Sequence, residues 1–220
     1  LSKWQKPFAQ DRAILANWRL RSTGRVDLED VVQNARPTVL IGVTAQPGLF
    51  SPQLLRAVAA GDPQPVILAL SNPTSKCECT LEDVATATKG RGHFASGSPF
   101  ADIQRDGRTL AASQCNNLYI FPGVGLGALV AKVPKVTDAM FLAASLALSA
   151  MVTSDQEAKG QLLPPMTDLR AVARTIANAV AREARDSGLG RLLGDDTYEA
   201  GIARAQWEPR YAPYRPGRRD

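Results

Sequence analysis

Four short apolar runs recur at nearly even spacing in this chain, beginning at Thr38, Val66, His93 and Leu118. The interval of roughly 27 residues is what a strand, a crossover and a return strand require. Runs this short, without polar alternation, read as strands buried on both faces. Each of the last three meets small or amide residues at one end: Ser71-Asn72-Pro73-Thr74 after Val66–Leu70, Ser96-Gly97-Ser98-Pro99 after His93–Ala95, and Asn116-Asn117 before Leu118–Phe121. The spacing predicts an α/β fold, a right-handed, doubly wound parallel sheet of Rossmann type.

Helices fall between the runs. Asp27–Asn34 carries acids in its first turn and Pro37 beyond its end. Ser51-Pro52 is an N-cap and first-turn pair, Leu54, Leu55 and Val58 share a face, and Gly61 stops the helix. Thr80-Leu81-Glu82-Asp83 resembles a capping box and opens a helix ending at Gly90. Residues Lys3–Arg25 show no clean period and predict an irregular lead-in with one short helix. The last crossover departs from the pattern, because Ala101–Gln114 is polar and contains Gly107, which predicts a long loop or hairpin. Beyond Gly127 the chain is helical. Thr137-Asp138 caps a segment apolar on nearly every side (Met140, Phe141, Leu142, Leu146, Leu148, Met151), which implies deep burial or a subunit interface. Asp168–Asp186 sets an apolar face against arginines, and Trp207–Asp220 reads as an extended arm.

Ligands of open parallel sheets bind beyond the carboxyl ends of the strands. That rule makes Val43, Thr44 and Ala45, and then Leu70, Ser71 and Asn72, candidates to line a dinucleotide crevice. The amide of Asn72 could donate to a carboxylate or a ribose; as a plain turn residue it would bond its own backbone instead. Asn116 and Asn117 face the same choice between a ligand and a structural duty. Gly123-Val124-Gly125-Leu126-Gly127-Ala128 fits the spacing of a dinucleotide fingerprint, but no strand and acidic residue follow, so close helix packing is the expected use. His93 has no carboxylate or second histidine near it in sequence and reads as a packed side chain. No catalytic acid/base pair and no metal cluster can be read. Cys77, Cys79 and Cys115 lack zinc-type spacing and their odd number argues for a reducing, cytoplasmic setting. The net charge of +5 has no interleaved aromatics or nucleic-acid motif to go with it and reads as a solvated basic tail. The longest mostly apolar segment, Ala139–Val152, is too short to span a bilayer. The first residues, Leu1-Ser2-Lys3, have neither an initiator Met nor a signal-peptide core, which suggests a fragment or trimmed chain.

Leu70-Ser71-Asn72-Pro73-Thr74, Glu78-Cys79-Thr80, Phe94-Ala95-Ser96-Gly97-Ser98-Pro99-Phe100 and Asn116-Asn117-Leu118-Tyr119-Ile120-Phe121-Pro122-Gly123 closely resemble, in this order, the NAD(P)-binding domain of malic enzymes. The resemblance implies a later part of that domain over residues 1–133, with C-terminal helices and an arm over 134–220. It implies oxidative decarboxylation of malate to pyruvate and CO2 with NAD or NADP and Mg2+ or Mn2+, with Asn72, Asn116 and Asn117 contacting malate and the nicotinamide ribose. Many family members have Gly where this chain has Cys115. The family's tyrosine and lysine acid/base pair, metal-binding acids and Gly-rich fingerprint lie upstream of the matched part, so the chain alone is expected to be inactive and to work with that upstream part, as a homo-oligomer. A cytoplasmic location follows, or the mitochondrial matrix in a eukaryote. A malolactic enzyme, or a non-catalytic dinucleotide-binding or assembly module, are the alternatives.

Overall fold

A computed structural model describes residues 2–22 and 24–211. Two units emerge from the packing, residues 1–115 with 154–162, and 116–153 with 163–220. The division falls before Asn116, so the glycine-bearing segment that follows belongs with the C-terminal helices although the sequence reading sets its boundary at 133/134.

The first unit opens with 3-10 turns at Lys6–Phe8 and Arg12–Asn17 rather than an α-helix. Helix α1 (Leu28–Ala35) is closed at its start by a reciprocal box between Asp27 and Asp30, and at its end by Arg36 in the left-handed region. Strand β1 (Val39–Gly42), α2 (Pro52–Gly61), β2 (Val66–Ala69), α3 (Leu81–Thr88) and β3 (His93–Ser96) follow in alternation. The expected caps are present: Ser51 accepts from the Leu54 amide, and Thr80 and Asp83 cap each other's backbone. The strands pair in parallel and in register, Val39 beside Val66 and Val66 beside His93. Val32, Leu40, Leu54, Leu55, Val58, Ile67, Leu81, Val84 and Phe94 form one core, which joins the three helices to one face of the sheet. Crossovers that all advance in one direction place their helices on one face. Along β1 burial alternates, and Val39 and Ile41 point away from that core and are exposed.

A hairpin of β4 (Ile103–Arg105) and β5 (Arg108–Leu110) turns through Asp106 and Gly107, both at positive φ, as a two-residue primed turn demands. Strand β6 (Ser113–Gln114) then pairs in parallel with β3 and completes the order β1-β2-β3-β6.

The fourth strand is therefore not Leu118–Phe121. That run is a 3-10 turn, Asn117–Tyr119, leading into α4 (Phe121–Ala131). Pro122 cannot donate to a ladder but suits a first helical turn, and the sheet position is already filled by Ser113-Gln114. Tyr119 is buried while Leu118 and Phe121 are exposed.

The second unit continues with α5 (Asp138–Ser149), capped by Thr137 as expected. Helix α6 (Ser154–Ala158) belongs to the first unit, where the segment after it supports the β5–β6 region: the Ala111 amide donates to the Lys159 carbonyl, and the Leu162 amide to Ser113 Oγ. Helix α7 (Leu169–Asp186) runs as the sequence predicts, and α8 (Asp195–Ala205), which the sequence reading does not anticipate, packs with α4 and α7 through Tyr198 and Ile202. In α5 only Met140, Ala144 and Leu148 are buried, and Phe141, Leu142 and Leu146 are exposed, so burial within this unit does not account for its apolar faces. Trp207 and Tyr211 are exposed; residues 212–220 of the expected arm lie outside the described residues.

Candidate functional site

At the carboxyl ends of β1 and β2, two turns carry the expected residues. Val43, Thr44 and Ala45 leave β1; all three are exposed, and Ala45 sits at a φ of 55°. Leu70, Ser71 and Asn72 leave β2, with the Leu70 amide donating to the Gly42 carbonyl at 2.8 Å. One buried carboxylate ties the turns together. Glu78 Oε1 accepts from the Thr44 amide at 2.8 Å, from Thr44 Oγ1 at 2.8 Å and from Ser71 Oγ at 2.5 Å. Ser71 Oγ in turn accepts from the Ala45 amide at 2.8 Å. Thr44, Ala45, Ser71 and Glu78 thus form one network.

Burial raises the Glu78 carboxyl, but the donors from Ser71 and Thr44 outweigh it and hold the group below its ordinary value. Its second oxygen, Oε2, is buried and has no hydrogen-bond partner among the described residues. Space for this side chain comes from Gly42, where a Cβ would lie 2.7 Å from Glu78 Cδ.

Asn72 is exposed, and its amide is oriented from the turn after β3. Ser98 Oγ donates to Asn72 Oδ1 at 2.5 Å. The expected alternative, an asparagine bonded to its own backbone, is not what forms. Among the described residues Nδ2 has no hydrogen-bond acceptor, so two donors remain available. Gly97 permits this approach, because a Cβ there would lie 2.6 Å from Asn72 Nδ2.

Asn116 behaves otherwise. Its Oδ1 accepts from the Leu118 amide at 3.0 Å and caps the 3-10 turn. With exposed Asn117 it borders a largely apolar cavity of about 580 Å3, also lined by Phe121, Val124, Val136 and Phe141. Cys115 donates its amide to the Ser96 carbonyl at 2.8 Å, at the edge where β6 joins the sheet.

Two of the three glycines of α4, Gly123 and Gly127, are packing devices. A Cβ at Gly123 would lie 2.6 Å from Ile176 Cβ, and one at Gly127 2.6 Å from the Ala177 carbonyl, whereas nothing lies within 4 Å of Gly125. His93 is half-buried, its Nδ1 3.3 Å from the Gly160 carbonyl. Among the described residues no group of three or more His, Cys, Asp or Glu is arranged to hold a metal ion, and no helix is long and apolar enough to cross a membrane. Sequence reasoning missed Glu78 and Ser98 as partners of the site. The available signal for Glu78 was a charge set between two burial-prone cysteines, Cys77 and Cys79.

The family model for the malic enzyme NAD-binding domain matches residues 1–185. The NAD-dependent malic enzyme of Sodalis glossinidius is 43% identical over 98% of this chain, and that of Pseudomonas syringae pv. tomato is also 43% identical over 98%. This chain spans 38% of the length of each. The crystal structure of malic enzyme from Pyrococcus horikoshii superposes with a TM-score of 0.60 at 28% identity, over 78% of this chain and 36% of that one. The malic enzyme of Entamoeba histolytica, at 21% identity and a TM-score of 0.63 over 84% of this chain and 35% of that one, shares the fold. The parallel sheet with its flanking helices agrees with these likenesses, and the chain belongs to the malic enzyme family, within its NAD-binding domain.

Proposed function

We propose that this chain is the cofactor- and substrate-positioning part of a longer NAD-dependent malic enzyme that oxidatively decarboxylates malate to pyruvate and CO2. The observation that carries the reading is Asn72, exposed at the carboxyl end of β2, with its oxygen held by Ser98 and both nitrogen donors unused. Such donors suit a malate carboxylate or the ribose of the nicotinamide. Val43, Thr44, Ala45, Leu70 and Ser71 supply the turn surface on which the dinucleotide rests, and the resemblance assigns Asn116 and Asn117 to malate and the nicotinamide ribose.

A nicotinamide dinucleotide, when bound, accepts the hydride lost from the substrate carbinol. This chain's share is positioning: Ser98 fixes the Asn72 amide at the reacting end, where a reactant held in one geometry reacts faster without any new chemistry, and Glu78 fixes the Thr44 and Ser71 turns that bind the cofactor. Mg2+ or Mn2+ and the proton-transfer pair are assigned, on the family resemblance, to the part of the relatives' length that this chain does not span. NAD is supported over NADP by the names of the relatives. Exposed Phe141, Leu142 and Leu146 of α5 are assigned to contacts in a homo-oligomer, and the three free thiols suit a cytoplasmic setting.

The test is an assay of the full-length gene product for malate-dependent reduction of NAD with a divalent cation, with pyruvate and lactate both measured. NADH and pyruvate appearing together support the reading. Lactate without net NADH would make it a malolactic enzyme, and no malate turnover with intact dinucleotide binding would make this a binding module. The isolated 220-residue chain is expected to show no turnover.

A further inference from the structure

We propose that Glu78 is the positioning residue of the dinucleotide-facing turns: a single oxygen of its buried carboxylate sets the shape of the Thr44–Ala45 turn and of Ser71 together. This rests on the dinucleotide reading given above and names the group that holds that surface in place.

Glu78 is 0% exposed, while Thr44 and Ala45, which it controls, are exposed. Its Oε1 takes three donors, two from Thr44 and one from Ser71, and Ser71 relays the hold to the Ala45 amide. Every donor therefore comes from the two turns at the carboxyl ends of adjacent strands, where a ligand of this fold lies. Ala45 is a non-glycine residue in the left-handed region, a conformation that persists where surrounding bonds over-determine it. The Ser71 and Glu78 bonds are what over-determine it here.

Packing alone does not explain the choice of a carboxylate. Oε2 is buried with no partner among the described residues, and a buried carboxylate half-satisfied in this way is costly compared with an amide or an apolar residue of the same shape. What the charge adds is strength in the bonds to Oε1, because hydrogen bonds to an ionised acceptor are roughly twice as strong as neutral ones. The scaffold is adapted to it: the Phe50 amide donates to the Glu78 carbonyl at 3.1 Å, and Gly42 provides room that any side chain would close. Exposed turn amides could otherwise be satisfied by water, so holding them with a buried charge serves their geometry.

The experiment uses full-length enzyme with Glu78→Gln, Ser71→Ala and, as a control, Thr80→Ala, which removes the α3 cap on the same segment but touches neither turn. NADH affinity is read by fluorescence titration, KM and kcat by steady-state kinetics, and folding by thermal melts. Glu78→Gln is expected to weaken NADH binding and raise the KM for NAD about 10-fold, the factor that goes with a lost charge-assisted bond. The kcat should stay within about 2-fold, because the interaction is made equally before and during reaction. Ser71→Ala should move both in the same direction by less, and Thr80→Ala should lower the melting temperature and leave NADH affinity unchanged. Unchanged NADH affinity and KM in both Glu78→Gln and Ser71→Ala, with lowered melting temperatures, would overturn the proposal. Should Glu78→Gln fail to fold, Ser71→Ala alone decides. Since NADH titration needs no malate turnover, weakened binding in an enzyme that does not oxidise malate would uphold Glu78 and reject the malate reading; malate oxidation with unchanged binding would do the reverse. Wild-type protein that binds no NADH would reject both.

Discussion

The turn after β2 and the turn before α4 use the same residue type in opposite ways. Asn72 has its oxygen held by Ser98, 26 residues away, and Asn116 has its oxygen on the Leu118 amide, two residues away; among the described residues neither nitrogen has an acceptor. An asparagine bonded locally is a capping residue first. One oriented from a turn distant in sequence is presented outward. Side-chain chemistry is equal in the two turns, and the source of the partner separates their duties.

The largest effect should come from the region where the apparent fingerprint has become a helix. Gly127→Leu places its side chain against the Ala177 carbonyl and Val180, and should destabilise the full-length protein by about 3 kcal/mol, seen as a lowered melting temperature. An unchanged melt would mean that α4 and α7 do not pack so closely and would reopen the phosphate-cradle reading.

Asn116→Ala removes the cap on the 3-10 turn and should cost about 1 kcal/mol. The same variant should lower kcat/KM for malate by less than Asn72→Ala does. Equal losses in activity, without a change in melting temperature, would erase the contrast between the two turns.

How much of this was legible follows from the range of the interactions. The caps at Ser51, Thr80 and Thr137 depend on bonds within a few residues, the first three strands are marked by their own apolar runs, and each stands where the sequence predicts it. The fourth strand does not, because Ser113-Gln114 is two polar residues that become a strand only by pairing with Ala95 and Ser96. The apolar run read in its place contains Pro122 just inside a helix, a start signal that the strand-like composition of Leu118–Phe121 masked. Helix α8 carried acids in its first turn and Tyr198 and Ile202 at i, i+4, but Gly201 in its interior weakens the pattern. At the site, Asn72, Thr44 and Ser71 were readable from the carboxyl-end rule. Glu78 was not, since its bonds to Thr44 span 34 residues.

The smallest effect concerns pH. The folded-state value of Glu78 lies below its ordinary 4.5, so its contribution is complete above that value and is lost as pH falls through the folded value. Asp27, lowered mainly by the hydrogen bond from the Asp30 amide, and Asp195, lowered mainly by its bond to Arg185, act in the same sense but are exposed and screened. Acid titration of the melting temperature should therefore show a shallower acid limb in Glu78→Gln than in wild type. Parallel limbs would mean that Glu78 has no altered affinity for its proton.

The most direct test places the two regions side by side in one full-length enzyme, comparing Asn72→Ala with Gly125→Ala by steady-state kinetics. If ligands are held at the carboxyl ends of β1 and β2, losing the Asn72 donors should reduce kcat/KM by about 10- to 100-fold with an unchanged melt. Gly125→Ala, with nothing within 4 Å of the added carbon, should leave kcat/KM within about 2-fold and raise stability by roughly 0.5–1 kcal/mol through helix propensity. An active Asn72→Ala enzyme beside a Gly125→Ala enzyme with a much weakened KM for NAD would contradict the account and move the site to the glycines of α4.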